Sequence, residues 1–217
     1  MNPFLLNSLR RADPRPRRGA DRNGSRSRRA SPNPPRPLLP DLLPDYLRAC
    51  TFARLEPGRH PEAYRVCQEY ALKGSYQGCW RLLLAGCPGA GKSSLAAAIL
   101  HQTLALTQDP HAACFWPQAR GLRLLRQSLA QPPAQRYGIA DLLDYRLVIV
   151  DHLQRPASAW ETHQLDLLLE TLWAEDRPAV FTTDLAPTAL SEAFAPVQLW
   201  PFLYLCHVLE FTKWFSE

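Results

Sequence analysis

At 217 residues the chain is one domain with room for a tail, and at 46% apolar it can bury a full core. No run of 18 uncharged apolar residues exists, which excludes a membrane-spanning helix. The net charge of +5 is uneven: residues 1–37 carry ten Arg and two Asp, a net +8, so residues 38–217 sum to −3.

Residues 1–44 hold nine of the 21 prolines as well as the Arg cluster. Such a segment buries too little apolar surface to offset its ordering entropy, so it reads as a disordered basic arm. An Arg-rich arm favours a polyanion such as nucleic acid through counterion release, although a solvated leader has the same composition. Its opening "MNPFLLNSLRRADPRPRR" also has the Arg and Ser content of an organelle presequence. The six cysteines form no C-x-x-C pair and no zinc-like spacing with His, so a reducing cytoplasm is the expected compartment.

Order is expected from residue 45 to 217. "HPEAYRVCQEYALKG" reads as a helix, with Pro61 in the first turn and Gly74 as the stop. "CWRLLLAG" is a short apolar run ending in Gly, a buried strand. Then come a helix in "KSSLAAAILHQTLAL", a strand in "HAACFW" and a helix in "ARGLRLLRQSLAQ". "YRLVIVD" reads as a strand, and "SAWETHQLDLLLETLWAED" as a helix capped by Ser158. "PAVFTTD" is a strand, "TALSEAF" a short helix and "CHVLEF" the last strand. This alternation predicts a three-layer α/β domain, a parallel sheet with helices on both faces.

The stretch Gly86, Cys87, Pro88, Gly89, Ala90, Gly91, Lys92, Ser93, Ser94 is a complete phosphate-binding loop between a strand and a helix. Its glycines let backbone N–H groups turn toward phosphates, and the helix N-terminus adds partial positive charge. Lys92 is expected to reach the β- and γ-phosphates of ATP, and Ser93 to hold magnesium. The chain has 22 Arg but only three Lys, and one of the three stands at this position, where a compact ammonium is needed. Asp151 follows the apolar run Leu147–Val150 and is the expected second magnesium ligand. The residues ending "FTTDL", Thr182, Thr183 and Asp184, should face the same crevice.

In this order the pieces resemble the AAA+ ATPases of the DnaC/DnaI helicase-loader and IstB transposition-helper group. "DYLRACTFARLEPGRHPEAYRVCQEYA" is similar to the group's lead-in, and "RLLLAGCPGAGKSSLAAAIL" to its loop and helix. "RLVIVDHL" looks like its magnesium strand, "RPAVFTTDLAP" like its sensor block and "CHVLEFT" like its closing strand. The resemblance implies an ATP-binding module acting on a replicative helicase or a transposase, with single-stranded DNA as a further partner. It also implies a minimal or absent lid and an adenine site around Cys50 to Phe52.

Three departures point to weak hydrolysis. The family's second acid is His152 here, its sensor Asn is Asp184, and no Arg or Lys lies between Leu185 and Thr212, where the family supplies an arginine finger. Such a finger is worth roughly 10³–10⁵ in rate in related phosphoryl transfers. The expected function is an ATP-binding helicase loader or adaptor with weak or no hydrolysis of its own; the alternatives are a transposition helper or a nucleotide-gated scaffold. Asp184 and His152 remain candidates to orient water, and Arg126 or Arg155 to replace the finger. Arg120, Arg123 and Arg126, spaced i, i+3, i+6, form a helix face that either tracks DNA phosphates or is solvated.

Overall fold

Strand β1, Arg81–Gly86, is buried at every residue, and that fixes its place in the middle of the protein. A strand with no solvent face needs cover on both sides, which a parallel sheet between two helical layers provides. The computed structural model describes residues 41–57, 60–197 and 200–212. All but the last four residues of the expected basic arm lie outside them.

Four more strands complete the sheet: β2 Ala113–Pro117, β3 Leu147–Leu153, β4 Ala179–Thr183 and β5 His207–Phe211. Their spatial order is β2-β3-β4-β1-β5, and every pairing is parallel. The helices are α1 Pro61–Lys73, α2 Lys92–Thr107, α3 Gln118–Ser128, α4 Ala159–Ala174 and the short α5 Leu190–Ala193. All five predicted strands and all five predicted helices are present.

Alternate strand residues feed two separate cores. Leu82 and Leu84 of β1, Ile149 of β3 and Val180 of β4 join α1 and α2 in one of them. Leu83, Ala85, Val148, Val150 and Phe181 join α3 and α4 in the other. Helix α2 is sandwiched so deeply that Leu95 through Leu100 are all buried, which is why its sequence is Ala- and Leu-rich rather than amphipathic. The apolar stretch before β5 packs inward as well: Phe194, Val197, Leu203 and Cys206 are buried, while Tyr204 and Leu205 stay exposed. Cys67 is fully buried, and burial pushes its thiol up to about 12, so it behaves as a small hydrophobe.

The helix ends follow the sequence signals. Pro61 opens α1, and Gly74 closes it in the left-handed region at φ 72°, donating its N–H to Tyr70. Ser158 Oγ accepts the Glu161 N–H at 3.3 Å, and Glu161 returns a carboxylate oxygen to the Ala157 N–H at 2.8 Å. Ser158→Ala is expected to lower stability by about 1 kcal/mol, with Ser158→Gly costing only a few tenths, in urea unfolding followed by circular dichroism. Equal losses in both variants would rule out the cap.

Within α3, Gly121 lies against the buried Trp116 of β2; a Cβ there would come within 2.0 Å of the indole. None of the described helices is long and apolar enough to cross a membrane.

Candidate functional site

The loop between β1 and α2 is built at the carboxyl ends of the strands, where ligands bind in open α/β sheets. Gly86 begins it at φ 120°, a conformation L-residues rarely adopt. Two backbone bonds clamp its entry. Gly86 N–H donates to Leu185 O just after β4 at 3.0 Å, and Cys87 N–H to Phe211 O at the end of β5 at 2.9 Å. Gly89 and Gly91 also hold positive φ, 76° and 90°, and a Cβ on either would meet nothing within 4 Å, so the loop is open above them. The first intrahelical bond of α2 runs from Leu95 N–H to Gly91 O. The N–H groups of Lys92, Ser93 and Ser94 therefore stand at the open end of a 16-residue helix, as an anion site requires. Cys87, Ala90, Ser93 and Ser94 are half-buried, and Pro88 is exposed on the loop.

Beside the loop runs a cleft of about 450 Å³ lined by Arg54, Leu55, Glu56, His60, Tyr64, Gly89, Ala90, Gly91, Ser94 and Leu95. Arg54, Leu55 and Glu56 of this lining follow directly on the expected adenine site at Cys50 to Phe52. Phe52 is turned into the core and packs edge-on to Tyr64, whose hydroxyl donates to the Phe52 carbonyl at 2.6 Å.

Lys92 is the most constrained side chain of the site. Its ammonium has three donors, and three acceptors meet it: Gly86 O at 2.8 Å, Cys87 O at 2.6 Å and Asp184 Oδ1 at 2.8 Å. Only 5% of the residue is exposed. Asp184 continues to His152, whose Nδ1 lies 3.4 Å from Asp184 Oδ2. The sequence placed Asp184 in the crevice; that its carboxylate pairs directly with the loop lysine was not legible there.

Asp151 does not end β3, as the sequence suggested. The strand continues to Leu153 through a bulge, and the register with β4 shifts between Val150 and Leu153. His152 occupies the bulge at φ 59° with its ring about half exposed, while Asp151 is 4% exposed. One hydroxyl holds this kink: Thr182 Oγ1 accepts the His152 N–H at 2.8 Å and donates to Asp151 Oδ1 at 2.7 Å. Thr182 thus fixes Asp151, whereas the sequence only set Thr182, Thr183 and Asp184 at the crevice. Thr183 instead bonds the Leu153 carbonyl and the Leu185 N–H, and so shapes the turn toward Asp184.

The arginines considered as replacements for a finger lie in a different cleft, of about 360 Å³, lined among others by Arg123, Arg126, Arg155, Trp160 and Glu161. The Arg126 guanidinium stacks over Trp160 at 4.7 Å. Arg120 leaves this group and donates to Leu42 O of the lead-in at 3.4 Å.

No protein-family model and no curated protein matches the chain. Solved structures do. A DnaC helicase loader superposes with TM-score 0.64 at 14% identity, over 77% of this chain and 99% of that one. DnaI gives 0.58 at 15% identity, over 79% and 93%. The replication initiator DnaA bound to AMPPCP and single-stranded DNA gives 0.57 at 14%, over 79% of this chain and 51% of its own.

The chain has the three-layer α/β fold of the AAA+ proteins it superposes on. In this AAA+ fold the loop 86–94, the β3 carboxylate Asp151 and the β4-end residue Asp184 converge on one crevice between neighbouring strands β1, β4 and β3.

Proposed function

We propose that this protein is an ATP-binding AAA+ helicase loader or adaptor of DNA replication, with weak or no ATP hydrolysis on its own. The observation that carries the reading is the loop itself. Positive-φ glycines, an open helix N-terminus and a base-sized cleft stand together on a fold that a DnaC helicase loader matches along nearly its whole length.

The residues fit ATP and magnesium. Backbone N–H groups of 89–94 would hold the phosphates, Lys92 the β/γ oxygens, and Ser93 with Asp151 the metal. Bound there, magnesium neutralises charge on the β- and γ-phosphate oxygens. Thr182 holds Asp151 in place, with one carboxylate oxygen already accepting a hydrogen bond. What argues against rapid turnover is the surrounding set. His152 stands half exposed where a second acid would activate water, Asp184 is tied to Lys92, and Arg126 is stacked on Trp160 away from the loop. The cleft of Arg123, Arg126 and Arg155 beside an indole suits the phosphates and bases of single-stranded DNA. The presence of DnaI and a DnaC helicase loader among the structural neighbours supports a helicase rather than a transposase as partner.

ATP binding and turnover by the purified protein, beside Lys92→Ala and with or without single-stranded DNA, test the reading together with retention of a hexameric replicative helicase. Expected results are saturable ATP binding that falls about 100-fold or more in Lys92→Ala, turnover at background, and a retained helicase. DNA-stimulated turnover would overturn the non-hydrolysing part, and failure to retain any helicase would overturn the loader part.

A further inference from the structure

Among the described residues, Asp184 is the carboxylate that touches the loop lysine. It sits 2.8 Å from Lys92 Nζ and is 36% exposed, so it is held by Lys92 on one side and by His152 on the other rather than by burial. The direction of its approach matters. It arrives from the end of β4, the strand beside β1, into the strand-end crevice. The α- and β-phosphates of a nucleotide are cradled by loop backbone N–H groups, whereas the lysine reaches the β- and γ-phosphates, so a triphosphate draws on it more than a diphosphate does. Asp184 therefore takes the third donor of Lys92 from the side a γ-phosphate would use, and the other two donors are spent on Gly86 O and Cys87 O.

Resting on the ATP-site reading above, we propose that Asp184 sets which phosphate chain this site accepts, making it prefer a nucleoside diphosphate to a triphosphate. A diphosphate is held mainly by the loop backbone and asks Lys92 for β-phosphate contacts alone, so it competes less with Asp184. A triphosphate must displace a carboxylate from Lys92 and then sit beside that carboxylate, a like-charge juxtaposition that specific sites use to reject a ligand. Because Asp184 is part-exposed it can swing away, which limits the penalty to about tenfold in affinity rather than complete exclusion. The adaptor would then rest in a diphosphate-bound state, and a partner that draws Asp184 off Lys92 would open the site to triphosphate.

The test is a pair of dissociation constants, for ADP and for the non-hydrolysable triphosphate AMPPCP at fixed magnesium. They are measured by calorimetry on the full chain as wild type, Asp184→Asn and Asp184→Ala, with thermal melting to confirm folding. The wild type should bind ADP about tenfold tighter than AMPPCP. Both variants should tighten AMPPCP by about tenfold and change ADP by less than about threefold. An unchanged ADP/AMPPCP ratio in the variants overturns the proposal while leaving the nucleotide site intact. Weaker AMPPCP binding in the variants also overturns it, because Asp184 would then be a magnesium or phosphate support. Absence of binding by both nucleotides to folded wild type sinks this proposal and the ATP-site reading together.

Discussion

Gly86→Ala should cost about 3–5 kcal/mol of folding stability, a large share of the roughly 5–15 kcal/mol a domain possesses. Two independent penalties meet at this residue. Its φ of 120° is outside what an alanine adopts comfortably, and a Cβ built there would lie 2.1 Å from the Phe211 carbonyl oxygen and 2.9 Å from its carbon. Both atoms belong to backbone, so no side-chain rotation relieves the contact. The strands would have to part instead, and the bond from Cys87 N–H to Phe211 O that closes the loop's entry would go with them. As β5 is an edge strand, its pairing with β1 is the sheet contact that gives way. Gly74→Ala isolates the conformational part, since its φ is also positive, 72°, but a Cβ there meets nothing within 4 Å. That control should lose only about 1–2 kcal/mol. Urea midpoints for the two variants decide the matter: a Gly86→Ala midpoint no lower than that of Gly74→Ala would mean that the close approach to β5 carries no weight.

This glycine also marks what could and could not be read from the sequence. Its motif announced a phosphate loop, and the apolar runs around it announced buried parallel strands, because a strand covered on both faces shows neither alternation nor a polar side. The helix ends at Pro61, Gly74 and Ser158 were equally plain, since each is a local device that needs no distant partner. Local chemistry does not report tertiary register. That Gly86 presses against Phe211, 125 positions later, depends on β5 returning beside β1. The same holds for Gly121, whose place against the Trp116 ring no local signal announces.

The candidate site divides along the same line. Residues 86–94 and Asp151 were legible because their chemistry lies in type and spacing. The pairing of Asp184 with Lys92 was not, because it depends on Leu185 O accepting from Gly86 N–H and drawing the end of β4 against the loop. Nor was the bulge at His152, a residue that carries no turn signature and whose φ of 59° is supported from outside the strand.

That outside support is Thr182, and removing its hydroxyl should destabilise both the bulge and the placement of Asp151. Thr182 is 1% exposed and Asp151 4%. Thr182→Val keeps the shape but leaves the Asp151 carboxylate without the donor it has at 2.7 Å, and the His152 N–H without its acceptor. A lost bond to a charged group costs about 1.5–3 kcal/mol, and an orphaned backbone donor adds about 1 kcal/mol, so the sum is about 3 kcal/mol. For a domain of this size that corresponds to a melting temperature lower by roughly 6–12 °C. Thr182→Ser retains the hydroxyl and removes one methyl, so it should lose only about 1 kcal/mol. A functional readout separates this from ordinary core damage. With Asp151 no longer fixed, the magnesium dependence of triphosphate binding should weaken in Thr182→Val and persist in Thr182→Ser, measured below the melting range of both. If both variants lose stability equally, methyl packing rather than the hydroxyl bridge holds the bulge. If Thr182→Val melts early yet keeps its full magnesium response, Asp151 is placed by something other than Thr182.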